Sequence, residues 1–581
     1  VKLRRKAAPA PAADPVTAPA PASGAGAPVP GVVEEFTRRL VKGWVSVPAD
    51  ASPTRVSLHL GRLEVTATYA TDDGALAGWR PAGAPAQDSP PKGPAGIRRP
   101  ADGRRNSRQQ VRTFAFKIPG IWRFVGKDTR ITVRVDGRPL PIAGHGMFLT
   151  PPKNGEHNVQ QLRALFAEGH VLNQFGMVSL SKKLDVAWQG KVMDLYTRTR
   201  DVVRDEFGHD VFFVYGTLLG AVREGGYIAH DPDFDAAFVS RHRTGPEAAA
   251  ELAEVALKLV EAGLDVECRA TTLHLFDPDL PGHRIDLFHT YFDEDGLLRF
   301  PFGVAGSSQV HERDWHGCTE IDFPGGRGLV PVNAEQLVEH LYGADWRRPK
   351  PGFNWNFDRT DSAPEAVVPV PLRTKVYWAN FYSRNSYSSG STFFEFVEAR
   401  DDTPATVIDI GCGDGRDACA FAAAGRTVLG LDQSPVGIEH ATARAAQLGL
   451  ADRVRFEVCD VADVDDLGRA LDLAADGDRG PVMFYLRFFL HAIPEEVQDR
   501  LLAAIDTHAR PGDCFAAEFR TDRDETTSHV HTKHFRRFQN AAAFSATLAG
   551  LGFTIVHEEE GTGLSPYQGE DPVLYRVVAH R

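Results

Sequence analysis

The chain has only six cysteines in 581 residues, and no two of them stand as a CxxC pair. That argues against a disulfide framework or a zinc site. Cys268, Cys318, Cys412, Cys419, Cys459 and Cys514 read as reduced thiols of a cytoplasmic protein. No run of about 18 consecutive apolar residues occurs, so no membrane span is expected. Residues 1–31 are mostly Ala and Pro behind Lys2-Leu3-Arg4-Arg5-Lys6. They lack the apolar segment of a secretory signal and read as a disordered tail. Long basic runs are missing too, and the net charge of −12 argues against nucleic acid as the main partner. No internal repeat is visible.

What is present is an ordinary globular composition, 43% hydrophobic and 24% charged, in a chain too long for one core. Residues 32–150 alternate with period two, as in Val56-Ser57-Leu58-His59-Leu60 and Ile131-Thr132-Val133-Arg134-Val135. Asp136-Gly137 is a hairpin turn signal. A β-sandwich-like domain is expected there, with a Pro/Gly/Arg-rich loop over about residues 81–110. Residues 158–350 mix helix and strand, which reads as an α+β domain. A linker rich in Pro and Asn follows over residues 351–371. Residues 372–581 alternate strand and helix strictly, which implies an α/β doubly wound, Rossmann-like sheet.

Two segments carry chemistry. In the first, a buried strand over residues 211–215 is expected to run into a glycine turn, Gly216-Thr217-Leu218-Leu219-Gly220-Ala221-Val222-Arg223. Asp231-Pro232-Asp233-Phe234-Asp235 follows. Gly216 lets backbone N–H groups approach a phosphate, and Thr217 adds a hydroxyl. On a strand, Asp233 and Asp235 point to one face and suit Mg²⁺ or Mn²⁺ beside a diphosphate. Asp286, in Arg284-Ile285-Asp286-Leu287-Phe288, is a third carboxylate, as metal ligand or general base. Arg223 can neutralise phosphate charge.

These motifs, with Val330-Pro331-Val332-Asn333 and Leu341-Tyr342-Gly343-Ala344-Asp345-Trp346, resemble the LicD/fukutin family of the nucleotidyltransferase superfamily. The resemblance implies transfer of a phosphorylated group, of phosphocholine or alditol phosphate type, from a CDP-linked donor to a glycan or glycolipid. His230 and Pro232 depart from that family's pattern, and Pro232 stiffens the turn enough to make Asp231 a poor ligand candidate.

In the second segment, Asp409-Ile410-Gly411-Cys412-Gly413-Asp414-Gly415 follows a strand and opens a helix. Asp432 ends the next strand, where a carboxylate can accept from two ribose hydroxyls, and Asp460 follows the third, placed to read an adenine amino group. The region resembles a class I S-adenosylmethionine-dependent methyltransferase, with Asp409, Gly411, Gly413, Gly415, Asp432 and Asp460 binding the cofactor. Beyond the fourth strand His491 is a candidate general base and Arg487 a candidate acceptor clamp. Tyr382 is placed to cover the cofactor. His529, His531 and His534 form a cluster read as a loop rather than a metal site.

The expectation is a bifunctional enzyme that decorates a cell-surface glycan. One domain transfers the phosphorylated group; the other methylates that group, the glycan or the phosphate. The alternative keeps only the methyltransferase active, with the upstream domains as a glycan-binding scaffold. Oligomeric state is not readable from the sequence.

Overall fold

The computed structural model describes residues 31–48, 51–70, 109–279, 282–304, 309–349, 363–385, 389–475, 480–527, 535–567 and 569–581. The amino-terminal tail, most of the expected 81–110 loop, most of the linker and the His529, His531 and His534 cluster lie outside them. No helix of the described residues is long and apolar enough to cross a membrane.

The amino-terminal compact unit, within residues 1–164, contains two antiparallel sheets. One joins strands Gly31–Phe36, Leu40–Pro48 and Gln109–Lys117; the other joins Leu63–Ala70, Thr54–Leu60, Ile131–Val135 and Arg138–Pro139. Their alternation buries Val41, Val45, Phe114, Val56, Leu58 and Val133. Asp136 and Gly137 turn the last hairpin with φ of 47° and 82°, the paired positive angles of a tight two-residue loop.

The second compact unit takes the remaining described residues and holds two large sheets and a small antiparallel pair, His170–Leu172 with Val178–Leu180. The first is mixed. Its order is Asp265–Cys268, Thr272–Phe276, Arg284–Phe292, Asp235–Ser240, Phe212–Phe213, Gly326–Pro331, Cys318–Phe323, with Leu298–Arg299 paired to Arg284–Phe292. Helix Val186–Phe207 starts where the Asp185 side chain accepts from Trp188 N and stops at Gly208, in the left-handed region at φ 73°. It lays Val192, Leu195, Tyr196 and Val203 into the core beside Phe213 and Phe234.

The strand expected over residues 211–215 is shorter than its hydrophobicity suggests. Only Phe212–Phe213 pairs, and a helix, Tyr215–Glu224, begins at once. Tyr215 turns the chain with φ +43°, which is strained for a bulky residue. Its ring packs on Phe288, Phe300 and Phe302, and its hydroxyl donates to Phe302 O at 2.6 Å. Aromatic burial, not strand pairing, explains the apolar run.

The carboxyl-terminal sheet has seven strands: Thr406–Ile410, Thr427–Asp432, Val454–Val458, Val482–Arg487, Cys514–Arg520, Thr554–Gly561 and Leu574–His580. Counted in chain order, they lie side by side as 3-2-1-4-5-7-6. The first five are parallel, and the last in sequence runs antiparallel to the fifth and sixth. A dinucleotide-binding sheet closes instead as 3-2-1-4-5-6.

The described end of the expected linker is fixed in place. Ala363 N donates to Phe300 O at 2.7 Å and Val368 N to Ala270 O at 2.8 Å, and Ala363, Ala366 and Val368 are fully buried. This segment leads into helix Val370–Arg384. Val376 and Ala379 on that helix join the core of the first sheet, together with Val436 from helix Pro435–Gln447 of the carboxyl-terminal domain.

Gly328 shows how tightly the first sheet is packed. A Cβ there would sit 2.0 Å from the ring of fully buried Phe213. Gly328→Ala is expected to lower stability by about 1–3 kcal/mol, the usual cost of overpacking. Urea unfolding measures it, and a wild-type midpoint would contradict the packing described.

Candidate functional site

Four carboxylates meet at the first sheet. Asp235 opens its strand in parallel register with Asp286, which puts both side chains on one face. Asp233 lies just before the strand, not on it as the sequence suggested. It still reaches the cluster, because Arg284 Nη2 donates to Asp233 Oδ1 at 3.2 Å and to Asp286 Oδ2 at 3.1 Å. Gln174 Nε2 donates to Asp233 Oδ2 at 2.6 Å. The fourth is Asp231, which the sequence argument set aside. A Cβ on Gly216 would come within 2.3 Å of its Oδ2 and 3.3 Å of Asp235 Oδ2.

Crowding of like charges marks the site. Burial, then Asp233, pushes the Asp231 carboxyl up to about 7. Burial also lifts Asp286 to about 7, with Arg284 opposing and Asp233 adding. Asp235 is raised well above the usual range by burial and then by Asp231, Asp286 and Asp233. The Tyr342 hydroxyl is raised by burial and then by Asp235 and Asp231, so the Leu341-Tyr342-Gly343 motif lies in the field of the cluster.

Three expectations are corrected here. The glycine turn is the first turn of helix Tyr215–Glu224, and its groups face inward. Gly216 N donates to Asp235 Oδ2 at 3.1 Å, and Thr217 Oγ1 accepts from Asp235 N at 2.8 Å. They position Asp235 and are not an open phosphate cradle. Arg223 pairs with Glu224 at 2.8 Å and donates to Trp346 O at 3.3 Å, so it braces the closing motif. The proposed metal set Asp233, Asp235 and Asp286 does not fit Mg²⁺ or Mn²⁺ as arranged. Among the described residues no group of three His, Cys, Asp or Glu side chains is placed to hold a metal ion. Arg284 supplies the positive charge between Asp233 and Asp286. Its spacing from Asp286, two residues along one strand, was a readable signal; Gln174 gave none.

In the carboxyl-terminal domain, Asp409, Gly411, Asp432, Asp460, Arg487 and His491 all line one cavity of about 480 Å³. Gly411, Gly413 and Gly415 have φ of 79°, 58° and 72°, which L side chains avoid. Space forbids a side chain there as well. A Cβ on Gly411 would lie 2.2 Å from the Phe489 ring, and one on Gly413 would lie 2.4 Å from the Tyr382 hydroxyl. Asp432 organises the loop: Oδ2 accepts from Gly413 N at 3.0 Å and Oδ1 from Ser434 N at 2.8 Å. Burial lifts its carboxyl to about 6, against those two donors. Asp409 is raised well above the usual range by burial, then by Asp417 and Asp432. Asp460 Oδ1 accepts from Ala462 N at 2.9 Å, a local turn at the end of the third strand.

Arg487 and His491 are more constrained than expected. Arg487 Nε lies 3.4 Å from Glu518 Oε1 and 3.9 Å from Asp417 Oδ2, inside an ion-pair group that also holds Arg576 against Glu518. An acceptor clamp would have to compete with those partners. His491 is buried, and its Nδ1 accepts from Arg520 N at 3.4 Å, which leaves the proton of the neutral ring on Nε2 and argues against a base at that atom. Phe488, between them, has φ +53°, an outlier of the kind that gathers at functional sites. A wall of rings with no expectation behind it, Tyr377, Trp378 and Phe381, lines the cavity beside Tyr382.

The first cluster makes a stability prediction. The Asp231 carboxyl rises from its ordinary 3.8 to about 7 on folding. Between those values the folded state binds more protons than the unfolded one, so stability falls as pH rises and the penalty is complete above pH 7. Asp231→Asn removes it. The variant is expected to match the wild type near pH 4 and to be more stable by about 1–3 kcal/mol at pH 8. Denaturant titrations at both pH values check this; a variant that gains nothing at pH 8 would contradict it.

Residues 401–477 match the family model described as "Methyltransferase domain". A 2-heptyl-1-hydroxyquinolin-4(1H)-one methyltransferase of Mycobacteroides abscessus is 32% identical over 106 residues, covering 18% of this chain and 42% of that protein. The chain thus spans less than half the length of that curated relative. Two solved structures are similar at lower identity. A S-adenosylmethionine-dependent methyltransferase from Anabaena variabilis is 17% identical, with 36% of this chain and 93% of that chain covered and a TM-score of 0.28. Magnesium protoporphyrin IX methyltransferase from Synechocystis is 18% identical, with 32% and 75% covered and a TM-score of 0.23. Scores of that size carry no weight beside the strand order itself. The matched segment contains the glycine loop and the first three strands of the 3-2-1-4-5-7-6 sheet, so residues 401–477 carry what the family model describes as a methyltransferase domain.

Proposed function

We propose that this chain is a methyltransferase that uses S-adenosylmethionine to modify an acceptor bound against the aromatic wall. The observation that carries the reading is the meeting of Asp409, Gly411, Asp432 and Asp460 in one cavity at the carboxyl ends of the parallel strands, where such sheets bind ligands. The residues fit the cofactor: the glycine loop has no room for side chains, and Asp432 accepts one backbone N–H at each oxygen and keeps lone pairs for ribose hydroxyls. When bound, S-adenosylmethionine supplies an electrophilic methyl group. The chain's own residues orient and shield. Asp432 fixes the loop through Gly413 and Ser434, Tyr382 covers Gly413, and Trp378 and Phe381 exclude water.

In the fullest form of this reading the acceptor is a glycan, a glycolipid or a phosphorylated substituent on one, made in the cytoplasm for the cell surface. Ring faces such as Trp378 stack on sugar C–H faces and on planar ligands alike. The Mycobacteroides abscessus relative is named for a planar quinolone, and an aromatic hydroxyl acceptor is the second reading that the wall favours.

The carboxylate cluster supports a further activity of LicD type, transfer of a phosphorylated group from a CDP-linked donor. Asp286, raised to about 7, has the proton affinity of a general base for an acceptor hydroxyl at neutral pH. No step of this proposal runs through a metal ion. The upstream domain as a pure acceptor-binding scaffold is the rival.

Asp432→Ala is expected to weaken S-adenosylhomocysteine binding by about 1.5–3 kcal/mol, the range for hydrogen bonds to a charged group. Titration calorimetry that finds wild-type affinity would mean the ribose is held elsewhere. Asp286→Asn is expected to abolish release of nucleotide from CDP-linked donors while leaving S-adenosylhomocysteine binding intact. Chromatography of the nucleotide products checks it, and unchanged release would remove Asp286 from the chemistry.

A further inference from the structure

One helix serves both halves of the second unit. In Val370–Arg384, Val376, Ala379 and Asn380 follow helical spacing and face the upstream domain. Val376 and Ala379 are fully buried in its core. Asn380 makes a two-way contact with the edge strand Asp265–Cys268: its Oδ1 accepts from Val266 N at 3.0 Å and its Nδ2 donates to Asp265 Oδ1 at 2.9 Å. One turn further on, Arg384 pairs with Asp265 Oδ2.

The opposite side of the same helix belongs to the cofactor cavity. Tyr377, Trp378, Phe381 and Tyr382 line it. The Tyr382 ring lies where a Cβ on Gly413 would be, and 3.2 Å from where one on Gly437 would be. Its carbonyl accepts from His440 Nδ1 at 3.1 Å, which ties the helix end to helix Pro435–Gln447 behind the glycine loop.

We propose that the methyltransferase site is composite, with the upstream domain holding the cofactor cover, and that Asn380 is the positioning residue that sets Tyr382 over the glycine loop. This rests on the methyltransferase reading above. Asn380 is not among the described residues that line the cavity; it acts through the helix. Asp265 and Val266 fix the helix by polar contacts that have one geometry, whereas Val376 and Ala379 would tolerate sliding or rotation. The contact spans more than 100 residues of sequence, since Asp265 and Asn380 lie on either side of residues 266–379. The upstream sheet thereby becomes part of the cofactor site without contributing a ligand to it.

The test is a double-mutant cycle on the full chain, with S-adenosylhomocysteine as probe. Asn380→Ala and Tyr382→Ala are each expected to weaken binding about five- to tenfold in calorimetry, and the double variant no more than the weaker-binding single one, because both remove one arrangement. Asp265→Asn is the milder variant, since it keeps an acceptor for Asn380 Nδ2 and loses the charge that pairs with Arg384. It is expected to fall between wild type and Asn380→Ala. Should Asn380→Ala fail to fold, Asp265→Asn with Tyr382→Ala closes the same cycle. Losses that add fully, or an Asn380→Ala chain that folds and binds as the wild type does, overturn the proposal alone. A wild-type chain that binds no S-adenosylhomocysteine overturns the methyltransferase reading, and the proposal with it.

Discussion

The helix Val370–Arg384 must be buried on two sides at once, and the rest of the second unit is arranged around that demand. Val376 and Ala379 close the core of the upstream sheet, while Tyr377, Trp378, Phe381 and Tyr382 wall the cavity of the carboxyl-terminal domain. Neither side is large. Burial of a Val side chain contributes on the order of 1.5–3 kcal/mol, and small residues such as Ala contribute less. Polar contacts through Asn380 and Arg384 therefore decide the register of the helix, and the segment over residues 363–369 delivers it to that position along a buried path.

Both candidate sites raise buried carboxylates, Asp409 and Asp432 in one and Asp231, Asp235 and Asp286 in the other, and they differ in how the charge is met. In the methyltransferase domain, Asp432 and Asp417 are met by specific donors: Gly413 N and Ser434 N for the first, Ser391 and Tyr485 for the second. Such a satisfied network fixes one geometry. In the upstream domain four carboxylates crowd together with Arg284 as the cation between two of them, and Asp231, Asp235 and Asp286 all shift upward. Uncompensated charge of that kind costs stability, and its presence in one place is a sign of chemistry more than of architecture. The cost is the reason to read the cluster as functional even though its side chains are not set out as a metal cage.

Much of the carboxyl-terminal domain was legible in the sequence. Strict alternation of strands and helices gave the parallel sheet, the three glycines had a backbone reason to be there, and Asp432 ends its strand and Asp460 follows the third as expected. Helix Val464–Ala475 was missed although Val464, Leu467, Ala470 and Leu471 follow helical spacing. The upstream site was legible in its carboxylates and not in its backbone. Val211, Phe212, Phe213, Val214 and Tyr215 look like a strand, yet tertiary packing of Tyr215 on three Phe rings converts the end of the run into a helix start. Asp231 was discounted for the Pro that follows it, although Pro232 restrains only its neighbours' backbone and leaves the carboxylate free to turn toward Gly216. Contacts across more than 100 residues, such as Asn380 with Asp265, leave no local trace at all.

The central claim is that the cofactor site and the upstream sheet are one mechanical piece. Hydrogen exchange of the full chain with and without S-adenosylhomocysteine tests it most directly. The account predicts added protection at the glycine loop, along helix Val370–Arg384 and in the edge strand Asp265–Cys268. Protection confined to residues 409–460, with the edge strand exchanging as in the free protein, would contradict it.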